Sequence, residues 1–149
     1  MSWTQNLLVD IKDVERVLRE SRRVAVLGIK PETHRGQPAH DVAAYLKSQG
    51  YDVIPAPVYY PEVTEILGQP VYRAISDIPG EVDMVDVFRR PEDIEQHVED
   101  IIAKRPKVVW FQLGIRNDAA AERLARAGIK VVQDRCTLAD HRMLRIGAV

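Results

Sequence analysis

The sequence predicts an α/β fold in which a doubly wound parallel sheet lies between two layers of helices. Short apolar runs alternate with amphipathic segments of ten or more residues from Arg23 onward. Strands in this arrangement are parallel when helices cross over between them, and those helices cover both sheet faces. The 149 residues suit a single domain over residues 1–149. We therefore expect a Rossmann-like, three-layer α/β/α domain with an added N-terminal helix.

Nearly continuous apolar runs predict the strands, because strands buried on both faces carry few polar residues. The Pro55-Ala56-Pro57 stretch is expected to stop the second strand. Residues 58–81 are rich in turn formers and are expected to hold only a short extended piece around Val71 to Ile75. The predicted strands are 23–28, 51–54, 82–88, 107–113 and 129–133.

Helical spacing of apolar residues, together with capping signals, predicts the helices. Asp10 is placed to cap the opening helix, and Asn117 to cap a helix that ends at Gly128. Thr137 and Asp140 have the spacing of a capping box, which predicts a terminal helix. The other predicted helices are 38–49 and 91–103.

Composition and charge exclude several classes of protein. The formal net charge is −1 and the isoelectric point is about 6.4, which argues against bulk binding of nucleic acid. The longest apolar runs are far too short to span a membrane, and the first residues lack a signal sequence. The single cysteine, Cys136, cannot form an internal disulfide. We expect a cytoplasmic protein.

The loops after the strands are where a ligand is expected. In open α/β sheets ligands bind outside the carboxyl ends of the strands. Polar loops often contain arginine, but a shared location on one edge favours a phosphorylated ligand, since arginine and helix N-termini both bind phosphate. The cations expected at this edge are Lys30, Arg35, Arg89, Arg90, Arg116 and Arg135.

Known nucleotide and catalytic motifs are missing from the sequence. The first loop has neither the Gly-x-Gly-x-x-Gly pattern nor the Gly-Lys-Ser/Thr ending of a nucleotide triphosphatase. No acidic residue follows the second strand, where NAD sites bind the ribose, so NAD is disfavoured. Asp83 and Asp86 point to opposite faces of their strand and cannot act as a paired acid and base. We expect a binding protein rather than an enzyme.

The histidines and the cysteine each have a simple structural explanation. His34 and His40 lie near the first loop and can contact phosphate, although solvated loop positions explain them more simply. His97 is expected on a helix surface. Cys136 follows Arg135 at the ligand edge, so thiol chemistry is an alternative to its role as a small buried hydrophobe.

Three segments in a fixed order carry a family resemblance: Val-Asp-Val-Phe-Arg-Arg at 85–90, Trp-Phe-Gln-Leu-Gly at 110–114 and Asp-Arg-Cys at 134–136. With Val24 to Gly28 they resemble the small stand-alone CoA-binding proteins, whose domain is similar to the CoA-binding domain of the succinyl-CoA synthetase α subunit. The resemblance implies that the Gly28 to Arg35 loop receives the phosphate part of CoA. It also implies that the Pro55 and Phe88 to Arg90 loops flank the nucleotide or the pantetheine arm.

The resemblance and the basic edge together give the candidate cofactor-binding residues. Lys30 stands at a position that is usually small in the family, so it either crowds the pyrophosphate or binds it as a cation. Thr33-His34 and the longer Gly36-Gln37-Pro38 stretch also depart from the family pattern. The candidates are Gly28, Ile29, Lys30, Pro31, His34, Arg35, Pro55, Phe88, Arg89, Arg90, Gly114 and Cys136.

The sequence favours non-catalytic binding of CoA or an acyl-CoA and leaves alternatives open. The chain could supply the CoA site of an acyl-CoA synthetase-like enzyme, although it has no room for that enzyme's other domains. It could instead be a NAD(P)-binding regulatory domain, or a domain that only packs against a partner. A protein partner or a homo-oligomer is compatible with all of these.

Overall fold

Five parallel strands form the central sheet in the computed structural model, which describes residues 2–149. Counting the two strands of a separate hairpin, the strands of residues 2–149 are, in chain order, β1 (Arg23–Leu27), β2 (Asp52–Ala56), β3 (Glu65–Ile66), β4 (Gln69–Pro70), β5 (Met84–Val87), β6 (Val108–Phe111) and β7 (Lys130–Val132). The large sheet has the order β2-β1-β5-β6-β7, and every neighbouring pair in it is parallel. Strands β3 and β4 form a separate antiparallel hairpin. The predicted parallel sheet is confirmed.

Helices cover both faces of this sheet. The helices are α1 (Ile11–Glu20), α2 (Pro38–Ser48), α3 (Glu95–Lys104), α4 (Asp118–Arg126) and α5 (Thr137–Met143). Side chains of α1, α2 and α5 pack on one face, and those of α3 and α4 pack on the other. The doubly wound, three-layer prediction is therefore confirmed.

Alternating side chains of the strands form two apolar cores, one on each face. In β1, Val24 and Val26 face the α1, α2 and α5 layer, whereas Ala25 and Leu27 face α3 and α4. Trp110 and Phe111 are neighbours in β6 and are fully buried in opposite cores. This burial on both faces explains why the central strands read as continuous apolar runs.

The N-terminal segment covers the outer edge of β7 before the first helix begins. Leu7 forms a parallel bridge with Val131, and the Leu8 amide donates to the Val131 carbonyl oxygen at 2.8 Å. The Asp10 side chain then accepts from the Lys12 amide, which confirms the predicted cap of α1. Among residues 2–149, no helix has the length and apolar character needed to cross a membrane.

The second strand runs through the proline that was expected to end it. Pro55 pairs with Val26, and β2 continues to Ala56. β2 is the edge strand of the sheet, and the Pro55 carbonyl accepts from the Tyr72 amide on the outer side. The backbone nitrogen at this position faces away from β1, so a proline here removes no hydrogen bond between the two strands and is tolerated at the edge.

The segment between β2 and β5 also differs from the sequence expectation. The extended residues lie at 65–66 and 69–70 rather than at 71–75, and Ile75–Asp77 forms a 3-10 turn. Leu67 and Gly68 both have positive φ angles, 51° and 76°. Two positive φ angles are typical of a tight hairpin turn, but leucine gives no sequence signal for one.

The predicted capping box at the last helix is wrong. Cys136 is the N-terminal cap of α5, and it makes no side-chain capping bond. The Thr137 hydroxyl donates into the core to Asp86, and the Asp140 carboxylate accepts from Arg135. Both side chains are therefore bound to partners outside the first turn of α5 and do not cap it.

Candidate functional site

The strand order reverses between β1 and β5, and the loops that follow these two strands touch each other. Gly28 comes directly after β1 with φ +87°, and an ideal Cβ there would lie 2.2 Å from the Phe88 carbonyl oxygen. The Phe88 amide donates to the Leu27 carbonyl at 2.8 Å. The space that glycine leaves open is therefore filled by the protein's own backbone.

A cavity of about 400 Å³ opens at this edge of the sheet. Its walls come from the loops that follow β1, β5 and β6, which are neighbours in the sheet. A cavity at the carboxyl ends beside the reversal of strand order is where open α/β sheets bind ligands. The lining residues are Lys30, Gln37, Pro38, Ala39, Phe88, Arg89, Arg90, Pro91, Gly114 and Ile115.

Arg89 is a buried cation in the wall of this cavity. Its side chain is only 7% exposed, and its Nε donates to the His97 Nε2 at 3.1 Å. Its Nη1 lies 3.4 Å from the Tyr59 hydroxyl, and the guanidinium lies over the Tyr59 ring. Within residues 2–149, the one carboxylate that pairs with Arg89 is Asp93, at 4.0 Å. That distance is too long for a hydrogen bond.

His97 faces Arg89 instead of lying on an open helix surface, so the surface prediction is wrong. Burial lowers the pKa of His97 below its usual value, and the charge of Arg89 lowers this pKa further. Both effects favour the neutral imidazole, whose Nε2 can accept the hydrogen bond from Arg89. No local sequence pattern predicts this contact, because the residues are eight positions apart and belong to different elements.

Lys30 and the start of α2 form a second positive part of the cavity. The Lys30 Nζ lies 2.6 Å from the Gln37 Oε1, and Gln37, Pro38 and Ala39 line the cavity where α2 begins. The N-cap residue, Gln37, makes no side-chain capping bond, so the N-terminal partial charge of α2 lies at the cavity wall, where the Asp41 carboxylate in the first turn partly offsets it. Lys30 does not close the cavity, and its ammonium group remains available at the wall.

His40 is buried, in contrast to the solvated position expected for it. It is 3% exposed, and its Nδ1 lies 2.9 Å from the Lys30 carbonyl oxygen. The Lys30 amide in turn donates to the Ala39 carbonyl at 3.0 Å. These bonds tie the first loop to the start of α2, so His40 shapes the wall without lining it.

The six predicted cations divide into two groups. Lys30, Arg89 and Arg90 line the cavity, although Arg90 is largely exposed and bound to Asp93. The other three lie outside its lining: Arg35 is exposed, Arg116 pairs with Asp118, and Arg135 binds Asp140 through two bonds of 2.6 and 3.0 Å.

Seven of the predicted binding residues do not line the cavity. His34 contacts the Thr33 hydroxyl and packs edge-on against Tyr60. Cys136 is half-buried and packs into the core on the α5 side. The residues outside the lining are Gly28, Ile29, Pro31, His34, Arg35, Pro55 and Cys136. The lining also includes Pro91 and Ile115, which directly follow the predicted residues Arg90 and Gly114.

A buried polar cluster underlies the same edge. The Gln112 side-chain amide donates to Asp86 at 2.6 Å and lies 2.8 Å from the Thr137 hydroxyl, which donates to Asp86 at 3.2 Å. Burial raises the pKa of Asp86 to about 7, although both hydrogen bonds oppose that rise. The cluster joins the ends of β5 and β6 to α5.

Asp83 lies at the opposite edge of the sheet, apart from this cluster. Its carboxylate accepts from the Arg22 and Arg23 amides at 2.9 Å each and pairs with Lys107 at 3.3 Å. Burial acts to raise the pKa of Asp83, but these three contacts outweigh it and lower that pKa. Asp83 and Asp86 have separate structural roles.

Residues 2–149 contain no cluster of three or more His, Cys, Asp or Glu side chains that could hold a metal ion.

Comparisons with known proteins agree with this architecture. An uncharacterised Bacillus subtilis protein, YneT, is 30% identical over 129 residues, which are 87% of this chain and 92% of that protein. A Thermus thermophilus protein, cell-free ID.343, superposes with a TM-score of 0.82 at 35% identity and covers 91% of this chain and 99% of its own. A hypothetical protein from Pyrococcus horikoshii OT3 gives 0.82 at 34% identity, with 92% and 93% covered.

A more distant structure shares the fold alone. The dinucleotide-forming acetyl-coenzyme A synthetase 1 of Ca. Korarchaeum cryptofilum superposes with a TM-score of 0.64 at 21% identity. The match covers 80% of this chain and 26% of the synthetase.

The family assignment rests on the sequence match. Residues 22–142, which are most of the chain, match the family model described as the CoA binding domain. The chain therefore belongs to the CoA binding domain family.

Proposed function

We propose that this protein binds CoA or an acyl-CoA in the cavity between the loops that follow β1, β5 and β6. The observation that carries the proposal is Arg89, a buried guanidinium whose nearest carboxylate, Asp93, is 4.0 Å away. Buried charges in proteins are normally paired, because removing a charge from water costs several kcal/mol. A phosphate group of the ligand would supply the missing countercharge.

The arrangement of donors suits phosphate oxygens. The guanidinium of Arg89 offers planar donors that match phosphate geometry, while Lys30 adds an ammonium group. The start of α2 adds a positive partial charge. These three features converge on one cavity, which supports an anionic ligand better than scattered loop cations would.

The remaining walls suit the apolar parts of CoA. Phe88, Ile115, Pro38 and Pro91 contribute apolar surface to the cavity. CoA combines phosphates with an adenine ring and a long pantetheine arm, so a ligand of this kind needs both surfaces. Membership of the CoA binding domain family supports the same choice.

The end of β2 favours CoA over a nicotinamide dinucleotide. NAD sites in such folds place an acidic residue near the end of the second strand, where it binds the ribose hydroxyls. Here Pro55 and Ala56 end the strand, and Pro57 follows. CoA carries a phosphate on its ribose, and a carboxylate at this point would repel it.

We further propose that the protein acts as a binding module, a carrier or sensor of CoA or acyl-CoA. The titratable side chains among the ten lining residues are Lys30, Arg89 and Arg90. Within the described chain, that lining contains no carboxylate, imidazole or thiol. Cations of this kind bind anions, whereas general acid and base catalysis uses groups that exchange protons near pH 7.

Isothermal titration calorimetry with CoA, acetyl-CoA, NAD and NADP tests the proposal. We expect CoA or acetyl-CoA to bind, and Arg89→Gln to weaken that binding by about 10-fold or more, since a charge-assisted hydrogen bond is lost. Arg16→Gln is the matched control, because Arg16 is exposed on α1 and pairs with Asp13. Absence of heat with both CoA species, or tighter binding of NAD, would overturn the proposal.

A further inference from the structure

We infer that His97 is a positioning residue, which holds the Arg89 guanidinium toward the cavity by accepting its Nε hydrogen bond as a neutral imidazole. The inference rests on the proposed function, because it concerns how the same cavity is kept ready for an anion. The contact joins Arg89 Nε and His97 Nε2 at 3.1 Å. It links the β5 loop to the first turn of α3 through a residue that does not itself line the cavity.

A neutral acceptor has an advantage over a carboxylate at this position. An aspartate or glutamate would orient the guanidinium equally well, but it would also cancel the charge that attracts a phosphate. His97 uses one donor of Arg89 and adds no negative charge. Arg89 therefore keeps both its orientation and its positive charge for the ligand.

The other charged groups near His97 are engaged elsewhere. Asp93 accepts from Arg90 at 3.0 Å. The Asp100 carboxylate accepts from the Ile75 amide at 2.6 Å and from both the amide and the hydroxyl of Ser76. These two carboxylates act to raise the pKa of His97, but burial and Arg89 outweigh them. The Tyr59 hydroxyl lies on the opposite side of the guanidinium, where it contacts Nη1.

Protonation of His97 would remove the acceptor. The imidazolium carries a proton on Nε2, so it cannot accept from Arg89, and it places a second cation beside the first. The guanidinium would then leave its position. We expect the affinity for a phosphate ligand to fall at acidic pH for this reason, although the added charge alone would raise it.

Two substitutions separate positioning from simple packing, with CoA as the probe in calorimetry at pH 7.5 and pH 5.0. His97→Gln places an acceptor oxygen near the position of Nε2 and does not titrate, whereas His97→Leu fills the space without an acceptor. At pH 7.5 we expect His97→Gln to bind CoA within about 3-fold of wild type and His97→Leu to bind about 10-fold more weakly. At pH 5.0, or at the lower pH at which NMR shows the His97 ring to be protonated, the wild-type protein should lose more affinity than His97→Gln.

Titration of the CoA phosphates is common to all variants, so the difference between proteins isolates His97. Wild-type affinity in His97→Leu at pH 7.5, or an unchanged pH dependence in His97→Gln across the pH range in which the His97 ring of wild type becomes protonated, would overturn the inference. The inference would also be overturned if the wild-type protein bound CoA more tightly at pH 5.0 than at pH 7.5 and the His97 variants did not.

A ligand-free measurement distinguishes failure of this inference from failure of the proposed function. If wild type binds no CoA at pH 7.5, the proposed function fails. Long-range ¹H–¹⁵N NMR of the histidine rings in the unliganded protein then decides the inference. A neutral His97 ring with its proton on Nδ1 supports it, and a proton on Nε2 overturns it.

Discussion

The carbonyl oxygen of Phe88 occupies the place that a side chain on Gly28 would take, 2.2 Å from an ideal Cβ. The loops after β1 and β5 approach each other this closely because residue 28 has no side chain. Phe88 and Arg89 both line the cavity, so this approach sets the position of one of its walls. The glycine acts on the site through the backbone of the neighbouring loop.

Gly28→Ala should therefore destabilise the fold by more than about 2 kcal/mol, since strain at positive φ adds to a backbone clash. Gly128→Ala is the matched control: Gly128 has the same φ of +87°, but nothing lies within 4 Å of its Cβ position. We expect the control to cost about 1 kcal/mol from strain alone. Urea denaturation of the two variants measures the difference, and equal losses would contradict a clash at Gly28.

Asp86 should make stability depend on pH. Burial raises its pKa from 3.8 to about 7 in the folded state. Between these values the folded state keeps a proton that the unfolded state has lost, so this group's contribution makes stability fall as the pH rises. The expected slope is about 1.4 kcal/mol per pH unit at most.

Asp86→Asn does not titrate and should lose this contribution. Urea denaturation at several values between pH 4 and pH 8 is expected to show that the variant gains stability relative to wild type as the pH rises. Asp77→Asn, at an exposed position, is the control and should keep the wild-type slope. Parallel curves for Asp86→Asn and wild type would exclude a raised pKa for Asp86.

Arg89 and Arg90 should respond differently to replacement by lysine. Arg89 is buried and holds its planar donors in fixed directions, whereas the Arg90 side chain is 74% exposed. Lysine keeps the charge but loses the paired donors. We expect Arg89→Lys to weaken CoA binding by about 10-fold and Arg90→Lys by less than about 3-fold. Calorimetry measures both, and a larger loss in Arg90→Lys would reverse the assignment.

The ion pair between Arg135 and Asp140 should protect the single cysteine. Asp140 is buried and accepts two hydrogen bonds from Arg135, and Cys136 lies between them in the chain. Asp140→Asn should cost about 1–2 kcal/mol, since Arg135 is partly exposed. It should also speed modification of Cys136 by a thiol reagent, because the start of α5 opens more often.

The exposed pair of Arg116 and Asp118 provides the comparison for that experiment. Asp118→Asn removes a surface ion pair and should leave the free energy of unfolding nearly unchanged. The modification rate of Cys136 should change by less than about 2-fold. Equal rates in the two variants would show that the Arg135 ion pair does not control access to the thiol.

The order and type of the main elements were predictable from sequence for a local reason. Buried parallel strands give continuous apolar runs, and caps such as Asp10 and Asn117 act within a few residues of the helix they start. The errors arose where distant contacts decided the structure. Pro55 stays in β2 because the strand lies at the sheet edge, and Thr137 turns inward because Asp86 lies beneath it.

The candidate site was only partly predictable. The sequence placed Lys30, Arg89 and Arg90 in loops at one edge, because the carboxyl ends of parallel strands meet there. It did not separate them from Arg116 and Arg135, since ion pairing depends on which side chains meet in space.

A doubly wound α/β domain with a basic edge follows from the amino-acid sequence alone, because periodicity and capping are properties of neighbouring residues. The tertiary contacts make Arg89 the buried cation without a hydrogen-bonded carboxylate, and they also select the residue that orients it. Arg89 and His97 come from a loop and a helix that the fold brings together, and the 3.1 Å between them follows from packing. Gly28 shows both contributions: the glycine in the sequence indicates a turn, and the fold places the Phe88 carbonyl oxygen where a side chain would lie.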